Sequence, residues 1–518
     1  MEQDTPILIA GGGPVGMTLA LALARLGQRC TLIERNPTTT RHPKMDITNA
    51  RSMEIFRALG VADALRAVAV PEDHPFDVAW VTRMTGEELH RFRYPSVTQW
   101  SARIAAGDPT LPGEAPMRVS QVEIEPVLQR HVRAHPLIDA RWGVALEDAT
   151  QDGDGVTATI RRADGGTETV RCGALAGCDG GTSRVRACLG IALEGEAAVM
   201  RRFMTHFRSD ARGLLQRFGI AWHYQSDKGT LIAQDDRAVW TLHTRWPDDE
   251  PPDEVDPRAL LRDFIGAEIE AEILVANAWT PHLLVAERYG HGRIWLAGDA
   301  AHQYIPTGGY GMNTGIADAW GLAWVLAAEA RGFGGPALLP SYEAERLPIG
   351  RANRAASGRH AGVRREVSML YAAGLPSVEL GARIAALGNA ENESWGVEWG
   401  YRYRTSPLLP ASEDEAPDDP LRAFPVTTPG ARLPCLVPGL YDRLGPWFTL
   451  VHDGMPDATW QRAAERRGVP LALVTLPFGT LGGQSLLVRP DHHIARRGNA
   501  APEAATLLAQ SLGWEART

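Results

Sequence analysis

The hydrophobic pattern of this chain changes period several times, and each change marks an element. Near the N-terminus an unbroken apolar run, Pro6 to Ala10, reads as a strand buried on both faces, as in a parallel sheet. Glycines follow at 11, 12, 13 and 16. Met17 to Leu26 (MTLALALARL) is rich in helix formers and stops before Gly27, which suits a left-handed cap; Arg29 to Ile33 then starts a second strand. Val156 to Arg162 and Thr167 to Arg171 flank an Asp-Gly-Gly turn at Asp164 to Gly166, the signal of a hairpin. Together with Ile232 to Gln234 and Val239 to Thr244, these alternating runs predict a sheet with one apolar face that roofs a cofactor site. Ile294 to Ala297 predicts another buried strand and Thr314 to Ala330 a helix. Beyond an acidic, proline-rich stretch from Ser406 to Phe424, short strands at Phe448 to Val451, Leu471 to Leu476 and Ser485 to Val488 alternate with helices at Ala458 to Arg467 and Ala501 to Leu512.

The glycines after the first strand form G-x-G-x-x-G (Gly11, Gly13, Pro14, Gly16) in the strand-turn-helix setting that a dinucleotide needs. They let the backbone approach a pyrophosphate, and the helix start offers it unpaired N–H groups. Glu34 closes the second strand roughly 20 residues on, where an acid meets a ribose hydroxyl, with Arg35 beside it. Read alone, the glycines are an ordinary flexible loop. Strand, turn, helix, second strand and acid agreeing together point to dinucleotide binding, without separating one dinucleotide from another.

Two further segments narrow the choice. Ala174 to Arg186 (ALAGCDGGTSRVR) runs from a strand into an Asp-Gly turn at Asp179. Ile294 to Asn313 (IWLAGDAAHQYIPTGGYGMN) brings Asp299 to a strand end, then Pro306, Gly308, Gly309, Gly311, Met312 and Asn313 before a helix. A carboxylate at a strand end can accept from a polyol, and glycine N–H groups at a helix start can meet developing negative charge. The three motifs, in this order and spacing, resemble those of the class A flavoprotein aromatic hydroxylases, the para-hydroxybenzoate hydroxylase and phenol hydroxylase family, over about residues 5 to 400. The resemblance implies FAD as cofactor, NADPH or NADH as reductant and O2 as co-substrate. Hydroxylation of a small aromatic, phenolic substrate would pass through a flavin C4a-hydroperoxide. It puts Asp179 in a stretch shared by FAD and NADPH, and Asp299 on the ribityl and pyrophosphate. Gly311 to Asn313 would lie at the flavin pyrimidine edge, with Gln121 and Lys44 beside the cofactor. Val325 and Thr182 depart from the family pattern, which bears on how NADPH docks.

In that family an active-site Asp assists phenol deprotonation, and Asp46 takes its place when Arg51 to Glu54 is aligned. Desolvation beside a flavin would raise its pKa toward that of a general base; the plain alternative is a solvated loop Asp. Trp222, His223 and Tyr224 are candidates to face the substrate, with core packing as the alternative, and Met204, His206 and Trp240 carry the same ambiguity. His302 reads as a structural histidine. Baeyer–Villiger or epoxidising chemistry on a quinone or polyketide-like substrate remains an alternative, as does a non-catalytic flavin-binding protein.

The expected fold class is α/β. A Rossmann-type FAD-binding domain (1–75, 110–190, 285–400) interleaves with a β-sheet substrate domain (76–109, 191–284). A linker (401–424) leads to a C-terminal thioredoxin-like α/β domain (425–518). That tail lacks CxxC, so thiol redox chemistry there is not expected. Its expected role is packing or contact within a homodimer, separable from flavin chemistry. Composition adds exclusions. A net charge of -9 argues against nucleic acid as a partner, and five scattered cysteines suggest neither a disulfide framework nor a metal site. No apolar run approaches membrane-span length, so a cytoplasmic enzyme is expected.

Overall fold

The computed structural model describes residues 4–245, 251, 254–410, 417–454, 458–499 and 503–514. It is a mixed α/β protein with two large sheets and several small ones. Five strands of the first large sheet run parallel: Ile294–Leu296, Thr167–Gly177, Thr5–Ala10, Cys30–Glu34 and Ile138–Trp142, in that spatial order. Ala10 lies level with Gly177, and Gly177 with Leu296. The three motifs therefore leave the same edge of the sheet, at the carboxyl ends of three neighbouring strands, where open α/β sheets bind ligands. The hairpin Val156–Arg161 to Thr167–Gly177 forms as expected but extends this first sheet, so it does not contribute to a roof. Residues 167–177 continue past the hairpin into the parallel core, and that continuity draws the whole hairpin with it.

The helix after the first turn, Pro14–Arg25, lies against a second helix, Tyr310–Ala330, which is buried on nearly every side. That helix starts four residues before the predicted Thr314, because Gly309 takes a left-handed φ of 65° and serves as its N-cap. The second large sheet has seven strands in the order Glu272–Trp279, Arg202–Arg208, Val239–Arg245, Gly229–Ala233, His223–Gln225, Val78–Val81 and Glu88–Phe92. One face packs on Phe207, Tyr224, Trp240 and Phe264; the other covers the motif edge of the first sheet.

The C-terminal residues form their own four-stranded sheet, including an unforeseen strand Ile494–Arg497. The last helix is Ala504–Ser511; residues 501 and 502 of the predicted helix lie outside the described residues. This tail shares its core with the rest of the chain, since Phe448, Leu487 and Leu508 belong to the same apolar cluster as Leu19 and Trp324. Charge ties it further: Arg489 donates to both oxygens of Glu345 at 2.6 and 2.7 Å, and Arg51 donates to the Asp491 carbonyl at 2.6 Å. The 401–424 stretch is less exposed than its composition suggests. Tyr403 and Leu408 are buried, while its most acidic part, 411–416, falls outside the described residues. No helix among the described residues is long and apolar enough to cross a membrane.

Candidate active site

A continuous cleft of about 1040 Å³ lies between the motif edge and the seven-stranded sheet. That is the upper end of what a single small ligand fills, so a large cofactor and a substrate can share it. One end is bordered by Gly11, Gly13, Pro14, Glu34, Arg35, Lys44, Gln121, Asp179, Asp299, Pro306, Gly309, Gly311 and Met312. A Cβ added to Gly13 or Gly311 would enter open space, so both backbones border the cleft directly. The helices Pro14–Arg25 and Tyr310–Ala330 both start here without a side-chain cap, leaving their first N–H groups for a ligand. Two bare helix starts, one on a glycine cradle, fit the pyrophosphate and the electron-rich ring edge of FAD.

Several predicted residues sit elsewhere or have other tasks. Gly16 is off the cleft wall; a side chain there would strike the Gly11 carbonyl, so it lets helix and strand close up. Asn313 is also off the wall. Its side chain donates to the Ile47 and Gly309 carbonyls and accepts from Asn49 N–H and Ser52, tying the third motif to the segment after Asp46. Tyr224 points to the opposite face and donates to the Gly219 carbonyl at 2.5 Å, because neighbours along a strand alternate. Asp179 borders the cleft but accepts from Ser183 Oγ and the Arg184 and Val185 N–H groups, capping a short helix. Glu34 accepts from Gly12 N–H at 2.7 Å and holds the turn shut. Arg186 clamps the second motif to the third, donating to the Gly181 and Ala300 carbonyls. His302 is buried against Asp318 at 2.7 Å, a structural role.

Asp46 and His223 meet on the far side of the cleft, with His223 Nε2 3.5 Å from Asp46 Oδ2. The Trp222 indole N–H donates to the same oxygen at 2.6 Å. The expected rise in the Asp46 pKa does not occur. Burial pushes the carboxyl up, but His223, the Trp222 N–H and the Arg118 guanidinium outweigh it and hold the group below its ordinary value. Burial also dominates at His223 and, despite Asp46, lowers it, so the pair at neutral pH is carboxylate and neutral imidazole. Among the described residues Nδ1 of His223 has no hydrogen-bond partner, and Nε2 has only the long approach to Asp46.

The roof over this end carries Arg202, Gln234, His243, Asn277 and Trp279, and helical segments beside it bring Arg364 and Glu391, none of which the sequence pattern singles out. Arg364 donates to both oxygens of Glu391, at 3.0 and 2.5 Å. Burial pushes His243 down to about 4, against the pull of Asp46 and with the help of Arg202. Alternation in RFMTHFR and the i, i+2 spacing of Asn277 and Trp279 were available signals, but only cross-strand register shows that these faces coincide.

Comparison with known proteins defines the class. The family described as FAD binding domain matches residues 4–357, and the chain belongs to it. It is an FAD-dependent monooxygenase of the aromatic-hydroxylase kind. The FAD-dependent monooxygenase apdD of Emericella nidulans is 36% identical, over 98% of this chain and 90% of that protein. Aklavinone 12-hydroxylase RdmE of Streptomyces purpurascens is 30% identical over 98% of each. Among solved structures, the flavin-dependent monooxygenase PieE in complex with FAD and substrate superposes with a TM-score of 0.87. It is 29% identical and covers 98% of this chain and 99% of its own.

Proposed function

We propose that the chain uses NADPH or NADH and O2 to hydroxylate a phenolic ring of a polycyclic, polyketide-like substrate. Names among the relatives such as aklavinone 12-hydroxylase and tetracenomycin A2 monooxygenase-dioxygenase support that substrate class. The observation that carries the reading is the cleft itself. A cofactor cradle and the Asp46–His223 pair open into one chamber under a wide sheet. FAD, held by Gly11 to Val15 and Gly309 to Met312, supplies the redox and oxygen-transfer chemistry when bound.

The protein's part is to exclude water, hold the ring and move its proton. A phenolate is the stronger carbon nucleophile, so the substrate O–H needs an acceptor. Asp46 is ionised but weakly basic, with one oxygen engaged by Trp222. His223 is neutral, with Nε2 turned toward Asp46 and Nδ1 unpartnered among the described residues, so Nδ1 takes the phenolic proton, and Asp46 steadies the imidazolium that results. The C-terminal four-stranded unit serves as a packing domain in this scheme.

The experiment is to compare Asp46→Asn and His223→Gln with the native enzyme during NADPH oxidation over a panel of polyphenols. Both variants should keep FAD and consume NADPH, yet release more H2O2 and less hydroxylated product, with partial recovery at high pH where the phenol ionises unaided. Normal coupling in both at neutral pH would refute the role of the pair.

A further inference from the structure

Among the arginines that border the cleft, Arg35 and Arg41 are exposed to solvent and Arg184 and Arg364 have acidic partners, whereas Arg202 is half-buried. Two acids that border the same cleft are already engaged, Glu391 by Arg364 and Asp46 by Trp222 and His223. Arg202 itself makes no side-chain hydrogen bond or ion pair among the described residues, although it borders the cavity. Its charged neighbours are cations: burial, then Arg245 and Arg364, lower it to about 10. A half-buried guanidinium facing a chamber with no counter-ion is costly unless something else completes it.

The register supplies a second donor. Arg202 and Trp279 are direct partners on neighbouring antiparallel strands, so their side chains emerge side by side on the cleft face. The Trp279 indole N–H is buried and has no acceptor among the described residues. Guanidinium and indole can only donate, and their complement must therefore be an acceptor. The uncompensated positive charge makes that acceptor an anion. Met204, two residues further along the same strand and so on the same face, places apolar surface beside it.

The geometry points to a substrate anchor at Arg202 and Trp279 that binds an anionic oxygen, either a carboxylate or the conjugate base of an acidic enol, on a ring system whose other end reaches His223. This inference rests on reading the cleft as the substrate chamber and deepens it. The neutral imidazole of His223 backed by the Asp46 carboxylate at one place and the guanidinium of Arg202 at another would orient the substrate by charge, so Arg202 is a specificity residue.

The test uses FAD-loaded full-length enzyme and follows the flavin absorbance change on titration with two probe pairs. 3-Hydroxy-2-naphthoate is set against 3-hydroxy-2-naphthamide for the carboxylate, and 4-hydroxycoumarin against 4-methoxycoumarin for the enolate. The native enzyme should bind one anion about tenfold or more tighter than its neutral counterpart, the range expected of a charge-assisted contact. The pair showing the preference identifies the source of the anion. Arg202→Met should abolish that preference, and Arg202→Lys should keep part of it. Trp279→Phe should weaken the anion more than the neutral probe. An unchanged anion-to-neutral ratio in Arg202→Met overturns the anchor, as does a native enzyme that prefers neither anion. NADPH oxidation measured in parallel separates the two ideas: a native enzyme without anion preference, or a preference unchanged in Arg202→Met, counts against the anchor alone when flavin reduction is intact. Arg202-dependent binding without any aromatic turnover would sink the hydroxylase reading and leave the anchor standing.

Discussion

Replacing Arg489 by Met tests how firmly the C-terminal sheet is built into the enzyme. Arg489 is fully buried and serves two carboxylates that are themselves nearly inaccessible, Glu345 at 4% and Asp491 at 2% exposure. Its removal strands both. Glu345 keeps the Ser406 hydroxyl, and Asp491 keeps the His493 N–H at 3.1 Å, but neither keeps a fixed cation at hydrogen-bond range. Breaking one side of a buried pair costs about 3–5 kcal/mol. A second route gives the same scale: a stranded carboxyl can take up a proton instead, and at pH 7 that costs about 4 kcal/mol, some three pH units at roughly 1.4 kcal/mol each. The pH dependence then has a definite sign. In the native protein Asp491 is held low by Arg489 against burial, so its contribution is present above the unfolded carboxyl range and is lost in acid. In the variant the stranded carboxyls are raised, and their penalty grows as pH rises through the new value. The deficit should therefore shrink between pH 7 and pH 5 by about 1.4 kcal/mol per unit for each carboxyl that takes up a proton. Hydrogen exchange at Phe448–His452 in the FAD-loaded enzyme measures it as a loss of protection. A deficit under about 1 kcal/mol, or one independent of pH, would refute the argument. So would a soluble chain ending near residue 420 that keeps native FAD affinity, since that truncation also removes Arg489.

The other predictions concern the cleft. Gly13→Val should fold but lose flavin, read as the 450 to 280 nm absorbance ratio, because its side chain enters the open space of the cradle. Gly309→Ala adds a Cβ against Ile47 at a φ of 65°, which should cost about 1 kcal/mol or more and weaken FAD binding; a titration of apoenzyme with FAD checks it. With His223 lowered by burial, the acid limb of coupled hydroxylation should fall below the ordinary His value of 6.5; it should move lower still in Asp46→Asn, since Asp46 raises His223. A product-to-NADPH ratio measured from pH 5 to 8 would refute this if the limb moved upward.

The cofactor end was legible without coordinates because its signals are local. Gly11, Gly13 and Glu34 act through a turn and two strands within one short stretch of chain, and strand-turn-helix spacing encodes them directly. The helix start at Tyr310 was missed for the converse reason: Gly309 stops being a loop residue only when its left-handed backbone packs against Ile47. The substrate end required the fold. Trp222 and His223 reach the cleft while Tyr224 faces away. Their composition is alike, and only the pairing of their strand with Val78–Val81 and Gly229–Ala233 decides which face is wet. Asp46 was located by its neighbours in sequence, but its acidity is set by Trp222, His223 and Arg118, all remote along the chain. The tail read as separable because proline and acidic residues precede it, yet Arg489, Glu345 and Arg51 close a buried network across that boundary. Chain order and periodicity determine which elements form. Electrostatics and accessibility are sums over everything nearby in space, and those sums exist only once the sheets are stacked.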